Sequence, residues 1–192
     1  ETVNFAQGEL MMLGAFGALA LMKFGGLSFW LAAPVAVGGM MAVGVVIERL
    51  VIRPILGQPQ FTVVMLTIGL GYLCRGLITM LPGIGSETSA LDAPYKGQVI
   101  DLGGAVISLD QLIVILATAV LCAVLFAMFR FSKIGIAMQA SSQNQLAAYY
   151  MGIPVRRLNG LVWGLSAGVA ALAGLLLAPI TFVHVNMGFI GL

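Results

Sequence analysis

LNGLVWGLSAGVAALAGLLLAPITFV, residues 158–183, runs for 26 residues without an Asp, Glu, Lys or Arg. Wound as an α-helix it would extend about 39 Å, more than the ~30 Å hydrocarbon core of a bilayer. Comparable stretches occupy 29–47, 61–81 (interrupted by Arg75) and 112–129. A shorter one, 10–22, would reach only about 20 Å as a helix, too little to cross alone. Mean hydropathy is +1.08, with 60% hydrophobic and 8% charged residues. Soluble domains carry roughly 25% charged residues, so this chain cannot cover a water-facing surface. The 25 glycines suit packed membrane helices. The sequence predicts an all-α integral membrane protein of about five transmembrane or half-membrane helices, forming one transmembrane domain over 1–192.

A net charge of +2 from scattered basic residues leaves no footprint for nucleic acid. Cys74 and Cys122 lie in apolar runs, as small reduced packing residues would. The chain opens at Glu1 without a basic n-region, so no signal peptide is expected, and it stops at Leu192 in mid-stream. A piece of a longer membrane protein is the expectation.

The gaps between the apolar stretches set the topology. Segment 48–60 holds Arg49 and Arg53; segment 130–157 holds Arg130, Lys133, Arg156 and Arg157 and no acid. Segment 82–111 holds Glu87, Asp92, Asp101 and Asp110 against Lys96. The positive-inside bias places 48–60 and 130–157 in the cytoplasm and 82–111 outside, with the turn at 23–28 and everything after Val183 also outside. Within the outer segment, 99–102 and 105–108 read as two short strands around Gly103-Gly104, a pair suited to a primed hairpin turn. A lone hairpin is marginal in water, so this one is expected to pack on the outer helix ends as a lid or docking surface.

Glu9 is the most expensive residue to place. It precedes Lys23 by about 21 Å of helix, well inside the bilayer, where a carboxylate marks a functional site by default. Asn4 and Gln7 have the spacing of a helix N-cap pair, so Asn4, Gln7, Gly8 and Glu9 are candidates for an unwound segment feeding a half-helix on a translocation path. The structural alternatives are that Glu9 caps its own helix or lies near the cytoplasmic surface. Arg75 is the other path candidate; otherwise it snorkels outward or pairs with an acid. Gly69 and Gly71 just before it let a neighbour approach. Gly160, Gly164, Gly168 and Gly174, with Ala167 and Ala171, form a small-residue stripe for close helix packing.

Other chemistry is poorly supplied. Gly164-Leu165-Ser166-Ala167-Gly168 has the letters of a nucleophile elbow but lies mid-helix, and His184 is the one histidine, 18 residues on. An intramembrane serine hydrolase is therefore disfavoured. No P-loop is present, nor a Cys/His/Asp cluster fit for a metal. The stretch 139–151 has helical propensity and no charge, and Gly152 is a plausible C-cap before Ile153-Pro154. A short cytoplasmic helix there suits either a docking element or an interfacial helix without a partner.

Three pieces of sequence carry a family resemblance. NFAQGELMMLGA (4–15), KIGIAMQA (133–140) running on through Gln143-Asn144 and Ala147-Ala148 to Gly152-Ile153, and 158–179 with Ser166, Ala167, Ala173 and Gly174 resemble permease subunits of ABC importers for branched-chain amino acids. Thr67-Ile68-Gly69-Leu70 and Arg75-Gly76 are weaker matches. The likeness spans nearly the whole chain in the family's order. Gln7 departs from a usual histidine, Gln139 from a common arginine and Leu146 from a frequent Glu. The resemblance implies further spans before Glu1 and after Leu192, a second permease, identical or paralogous, and ATP-binding subunits held on a coupling helix in the loop Gly135, Ala137, Gln139, Ala140, Asn144, Ala147, Ala148 and Gly152. It implies a periplasmic substrate-binding protein at the outer face, lipids around the spans, a bacterial inner-membrane location, and no cofactor on this chain, ATP and Mg residing on the partners. Glu9 would face a substrate ammonium and the half-helix end at Asn4 its carboxylate. An autonomous channel or secondary carrier is the competing expectation.

Overall fold

The computed structural model describes residues 4–55, 57–85, 88–91, 93–101 and 106–191. The chain forms two compact units, one running to Lys96 and resuming at Trp163, the other Gly97–Val162. Among the described residues, four helical stretches are long and apolar enough to cross a bilayer: Phe29–Ile55, Phe61–Thr79, Leu109–Phe131 and Val155–Thr181.

The first unit contains α1 (Gln7–Lys23), α2 (Phe29–Ile47), α3 (Gln60–Thr79), the part of α7 (Val155–Thr181) from Trp163 onward, and a 3-10 helix, Val185–Gly191. α7 is fitted to its neighbours by small residues. A Cβ added at Gly14 would overlap Ala171, and one at Gly174 would overlap the Met11 carbonyl, so α1 and α7 touch backbone to backbone. On the α2 side, Gly164 lies against Val45 and the Met41 carbonyl, Gly168 against the Met41 side chain, and Gly44 against Ala167 and the Trp163 carbonyl. Close approach of this kind replaces the hydrophobic effect as the cohesive force where the solvent is lipid. Gly160 is buried too, on the stretch of α7 that belongs to the second unit.

Two expectations for this unit need correction. Segment 48–60 is not a loop from Glu48: α2 continues as a π turn over Glu48–Ile52 and a 3-10 turn over Arg53–Ile55. Pro54 has no N–H and its ring crowds the preceding turn. The Arg53 N–H accordingly reaches back to the Glu48 carbonyl. Glu48 is 1% exposed and accepts from Arg53 Nε at 3.3 Å and Nη2 at 3.0 Å, a bidentate pair not foreseen from sequence. Second, α1 is already helical at Gln7, so only Asn4–Ala6 of the expected unwound segment precedes it, and its N-cap is Ala6 rather than Asn4. After Val183 the chain folds back on its own unit. Phe182 adopts φ 65°, which reverses the chain, and the following 3-10 helix packs along α1 with Met187 fully buried.

The C-terminal ends of α1 and α3 gather with the end of α7. Lys23 Nζ donates to the Gly83 carbonyl at 2.6 Å. Ser89 and Val183 exchange two backbone hydrogen bonds, of 3.0 and 2.8 Å. Tyr95 stacks edge-on against Phe29, and Lys96 sits 5.1 Å above the Phe182 ring.

The second unit holds β1 (Val99–Asp101) and β2 (Val106–Ser108), α4 (Leu109–Phe131), α5 (Lys133–Gln143) and α6 (Gln145–Tyr150). The strands pair antiparallel, Val99 with Ser108 and Asp101 with Val106. The Gly103-Gly104 turn expected between them lies outside the described residues. No residue of α4 is buried. The single helix expected over 139–151 is instead two. α5 starts at Lys133, and Asn144, at φ −153° and ψ 102°, ends it and caps α6 by accepting from the Ala147 N–H at 3.0 Å. Asparagine competes with the helix for its own backbone, which is why the break falls there. α6 ends in a Schellman motif: Gly152, at φ +80°, donates to the Tyr149 carbonyl and Ile153 to the Ala148 carbonyl.

Gly174→Val should cost about 1–3 kcal/mol by forcing α7 off α1. Gly17→Ala, in open space on the same α1, should be neutral or gain up to about 1 kcal/mol. Thermal unfolding of the full-length protein in detergent checks both, and equal shifts would contradict the packing described.

Candidate functional site

The costly groups of the first unit are brought together. Glu9 lies in the first turn of α1 and is 6% exposed; its Oε1 accepts from Arg75 Nη2 of α3 at 2.5 Å. The Arg75 side chain is 16% exposed, so this ion pair is largely removed from solvent. Helical side chains lean toward their own N-terminus, which turns Arg75 back along α3 to meet Glu9 instead of letting it snorkel outward. Glu9 does not cap its own helix either, because its carboxylate is spent on α3.

Two glycines make room for that carboxylate. The Cβ of any other residue at Gly71 would sit 3.0 Å from Glu9 Cγ, and at Gly188, on the 3-10 helix, 2.8 Å from Glu9 Oε2. Gly69, by contrast, faces open space. Three elements therefore close on Glu9: α1 carries it, α3 pairs it, and the returning 3-10 helix covers it. Oε2 has no hydrogen-bond partner among the described residues. Gly188 follows Val183 by five residues, so it lies within about 18 Å of the Ser89–Val183 pairing.

The other path candidates are engaged elsewhere. Gln7 is clasped to α7: Ser166 Oγ donates to Gln7 Oε1 at 2.8 Å, and Gln7 Nε2 donates to the Ser166 carbonyl at 3.2 Å. Asn4 closes an Asx turn by accepting from the Ala6 N–H at 3.0 Å, and its amide reaches Gln7 Oε1 at 3.4 Å. Gly8 is buried on α1. Neither Asn4 nor Gln7 is brought to Glu9's carboxylate by these bonds. Ser166 was missed as Gln7's partner, because a serine on an apolar stripe looks like another small packing residue. Gly188 carries no signal in the sequence beyond being a glycine. The serine–histidine arrangement of a hydrolase is not formed, since Ser166 is about 22 Å of helix from the end of α7 and His184 Nδ1 faces the Phe182 carbonyl at 3.3 Å.

The second unit carries the loop residues. Ser132 Oγ accepts from the Gly135 N–H at 2.9 Å and caps α5. A Cβ at Gly135 would overlap the Met128 carbonyl and Phe129, so only glycine lets α5 fold tightly under α4. Gln139 Nε2 donates to the Phe129 carbonyl at 3.2 Å. Gly135 and Ala148 face inward, Ala137 is half-buried, and Ala140, Asn144 and Ala147 are exposed. Next to them Tyr149, Tyr150 and Met151 stand 68%, 77% and 82% exposed, with the two tyrosine rings in edge contact.

Long apolar helices, an ion pair inside a helical unit and a rigid exposed helix pair define a multi-pass membrane protein. Residues 1–190 match the family described as the permease component of branched-chain amino acid transport systems, and the chain belongs to that family. Among curated relatives, the high-affinity branched-chain amino acid transport system permease LivH of Salmonella typhimurium is 28% identical over 187 residues, 91% of this chain and 60% of the relative. The probable LivH of Methanocaldococcus jannaschii is 28% identical over 91% of this chain and 56% of its own. BraD of Pseudomonas aeruginosa is 25% identical, with 91% and 60% covered. The chain thus spans about 60% of the length of such relatives. No solved structure matches it.

Arg75→Gln should destabilise the protein by about 3–5 kcal/mol, because it strands a buried carboxylate. The double variant Glu9→Gln/Arg75→Gln should recover most of that loss. Thermal midpoints in detergent give the order, and a double variant no better than the single would show that the pair is not the cause.

Proposed function

We propose that the chain belongs to a transmembrane permease subunit of an ABC importer in the bacterial inner membrane. It moves branched-chain amino acids, or a related small polar solute, using ATP hydrolysed on separate subunits. The observation that carries this reading is the α5–α6 pair. It is fixed to α4 by Ser132, Gly135 and Gln139, and it presents Leu146, Tyr149, Tyr150 and Met151 outward. Large apolar side chains on a rigid short helix are what a soluble partner can grip. The names of the relatives, permeases of branched-chain amino acid transport systems, support the cargo.

The charge pattern supports α5–α6 facing the cytoplasm, with Arg130, Lys133, Arg156 and Arg157 flanking it and no acid between. The acid-rich segment 82–111 supports a periplasmic side for the clustered ends at Lys23, Gly83, Ser89 and Lys96, where a substrate-binding protein docks. A second permease completes the pathway across the membrane. This chain itself binds no nucleotide or Mg; both belong to the ATP-binding subunits. Substrate, binding protein and nucleotide act by favouring different states of the permease pair.

The test is co-purification from gently solubilised membranes expressing the full-length protein with its neighbours. Tyr149→Ser/Tyr150→Ser/Met151→Ser alters only exposed side chains. It should leave the permease folded while cutting recovery of the ATP-binding subunit, and ATP-driven uptake, at least tenfold. Wild-type uptake that persists after ATP depletion would instead establish a carrier.

A further inference from the structure

We propose that the Glu9–Arg75 pair is the recognition point for a zwitterion, Glu9 taking the substrate ammonium and Arg75 its carboxylate, with Val185–Gly191 as the cover that must lift to admit it. The inference rests on the importer reading above and adds the residues and the geometry. It also moves the carboxylate partner from the α1 N-terminus to α3. Asn4 is occupied by its own Asx turn and Gln7 by Ser166, so that end offers no free side chain of theirs. Arg75 is the cation that reaches Glu9.

An ion pair is the arrangement in which a zwitterion can be exchanged without leaving charge behind. With the cover closed, Arg75 Nη2 holds one oxygen of Glu9, Oε1. Once a zwitterion inserts, each protein charge trades its protein partner for the opposite end of the solute, and the charge sum in the low-dielectric interior is unchanged. A solute with only a carboxylate would draw Arg75 away and leave the buried Glu9 carboxylate stranded, and one with only an amine would forgo the contact to Arg75. Discrimination against such half-molecules results without a dedicated filter.

The closed cover is visible in the packing. Gly188 lies so near the Glu9 carboxylate that no methyl group fits between them, so no solute can occupy that contact in this state. Oε2 is buried there without a partner among the described residues, a polar group whose hydrogen bond is still to be made. The cover is joined to α7 through Phe182, a non-glycine residue at φ 65°, and Val183 pairs with Ser89 of the segment after α3. A pull on that segment from outside would reach Gly188 within five residues.

The experiment uses the full-length permease with its partner subunits in proteoliposomes. Uptake of leucine is measured in competition with leucinamide, which lacks the carboxylate, and 4-methylpentanoate, which lacks the ammonium. Wild type should prefer leucine to either analogue by at least a hundredfold. The neutral pair Glu9→Gln/Arg75→Gln should raise the leucine KM tenfold or more and shrink the preference at least tenfold, with ATP-binding subunits still bound. Gly188→Ala keeps both charges and crowds the contact between the cover and the Glu9 carboxylate; it should shift the leucine KM at least threefold and leave the preference intact. Unchanged KM and preference in the double variant would overturn the proposal and reduce the pair to a tie between α1 and α3. If the double variant does not assemble, an unchanged KM in Gly188→Ala overturns it and a shifted KM upholds it. Failure of the wild-type complex to take up any amino acid would appear before any variant is made, and would remove the importer reading for that cargo together with the site.

Discussion

A carboxylate held inside an apolar helical unit must either lose its charge or find a cation fixed in place. Glu9 has found one in Arg75, and much of the first unit is arranged around that contact. α1 supplies the acid in its first turn, α3 supplies the base one turn before its end, and the 3-10 helix after α7 seals them with a glycine. A buried pair adds little stability over apolar residues of similar volume, but it penalises every arrangement that separates the partners.

Small residues do the remaining work of bringing these elements close. Lipid tails are as apolar as leucine, so membrane helices gain nothing by hiding leucine and gain dispersion by touching closely. On α7 the contacts divide between Gly164 and Gly168 toward α2 and Ala171 and Gly174 toward α1. α4 shows the opposite case. An 18-residue stretch of it has the highest mean hydropathy among the four long helices, 3.0, and none of its residues is buried. In water such a helix would aggregate; hydrocarbon can solvate it on all sides.

The irregular points each have a local chemical cause, and each redirects the chain at a place of use. Pro54 converts the end of α2 to π and 3-10 turns and lets Arg53 fold back onto Glu48. Ser132 and Gly135 make the tight corner from α4 into α5, and Asn144 splits the exposed helix pair. Phe182 reverses the chain so that the 3-10 helix returns to Glu9 instead of leaving the bundle. Regular helix gives the scaffold, while side-chain competition for backbone hydrogen bonds decides where it turns.

The linear sequence was enough to establish the membrane class, four long helices, the small-residue stripe of α7, the Gly152 cap and the family. Those depend on composition, length and local spacing, which involve only neighbours along the chain. It also singled out Glu9 and Arg75 as anomalies, because charge is conspicuous in an apolar run. It could not join them: they are separated by 66 residues and lie on different helices, and pairing at that distance depends on how whole helices rotate and slide. For the same reason the Gln7–Ser166 clasp and the placing of Gly188 over a carboxylate emerged only in three dimensions, while the Glu48–Arg53 pair depends on a local π turn that brings together residues five apart. Depth in a bilayer can be counted from residue numbers; which face of one helix meets which face of another is set by the sum of many small contacts, and only the folded structure performs that sum.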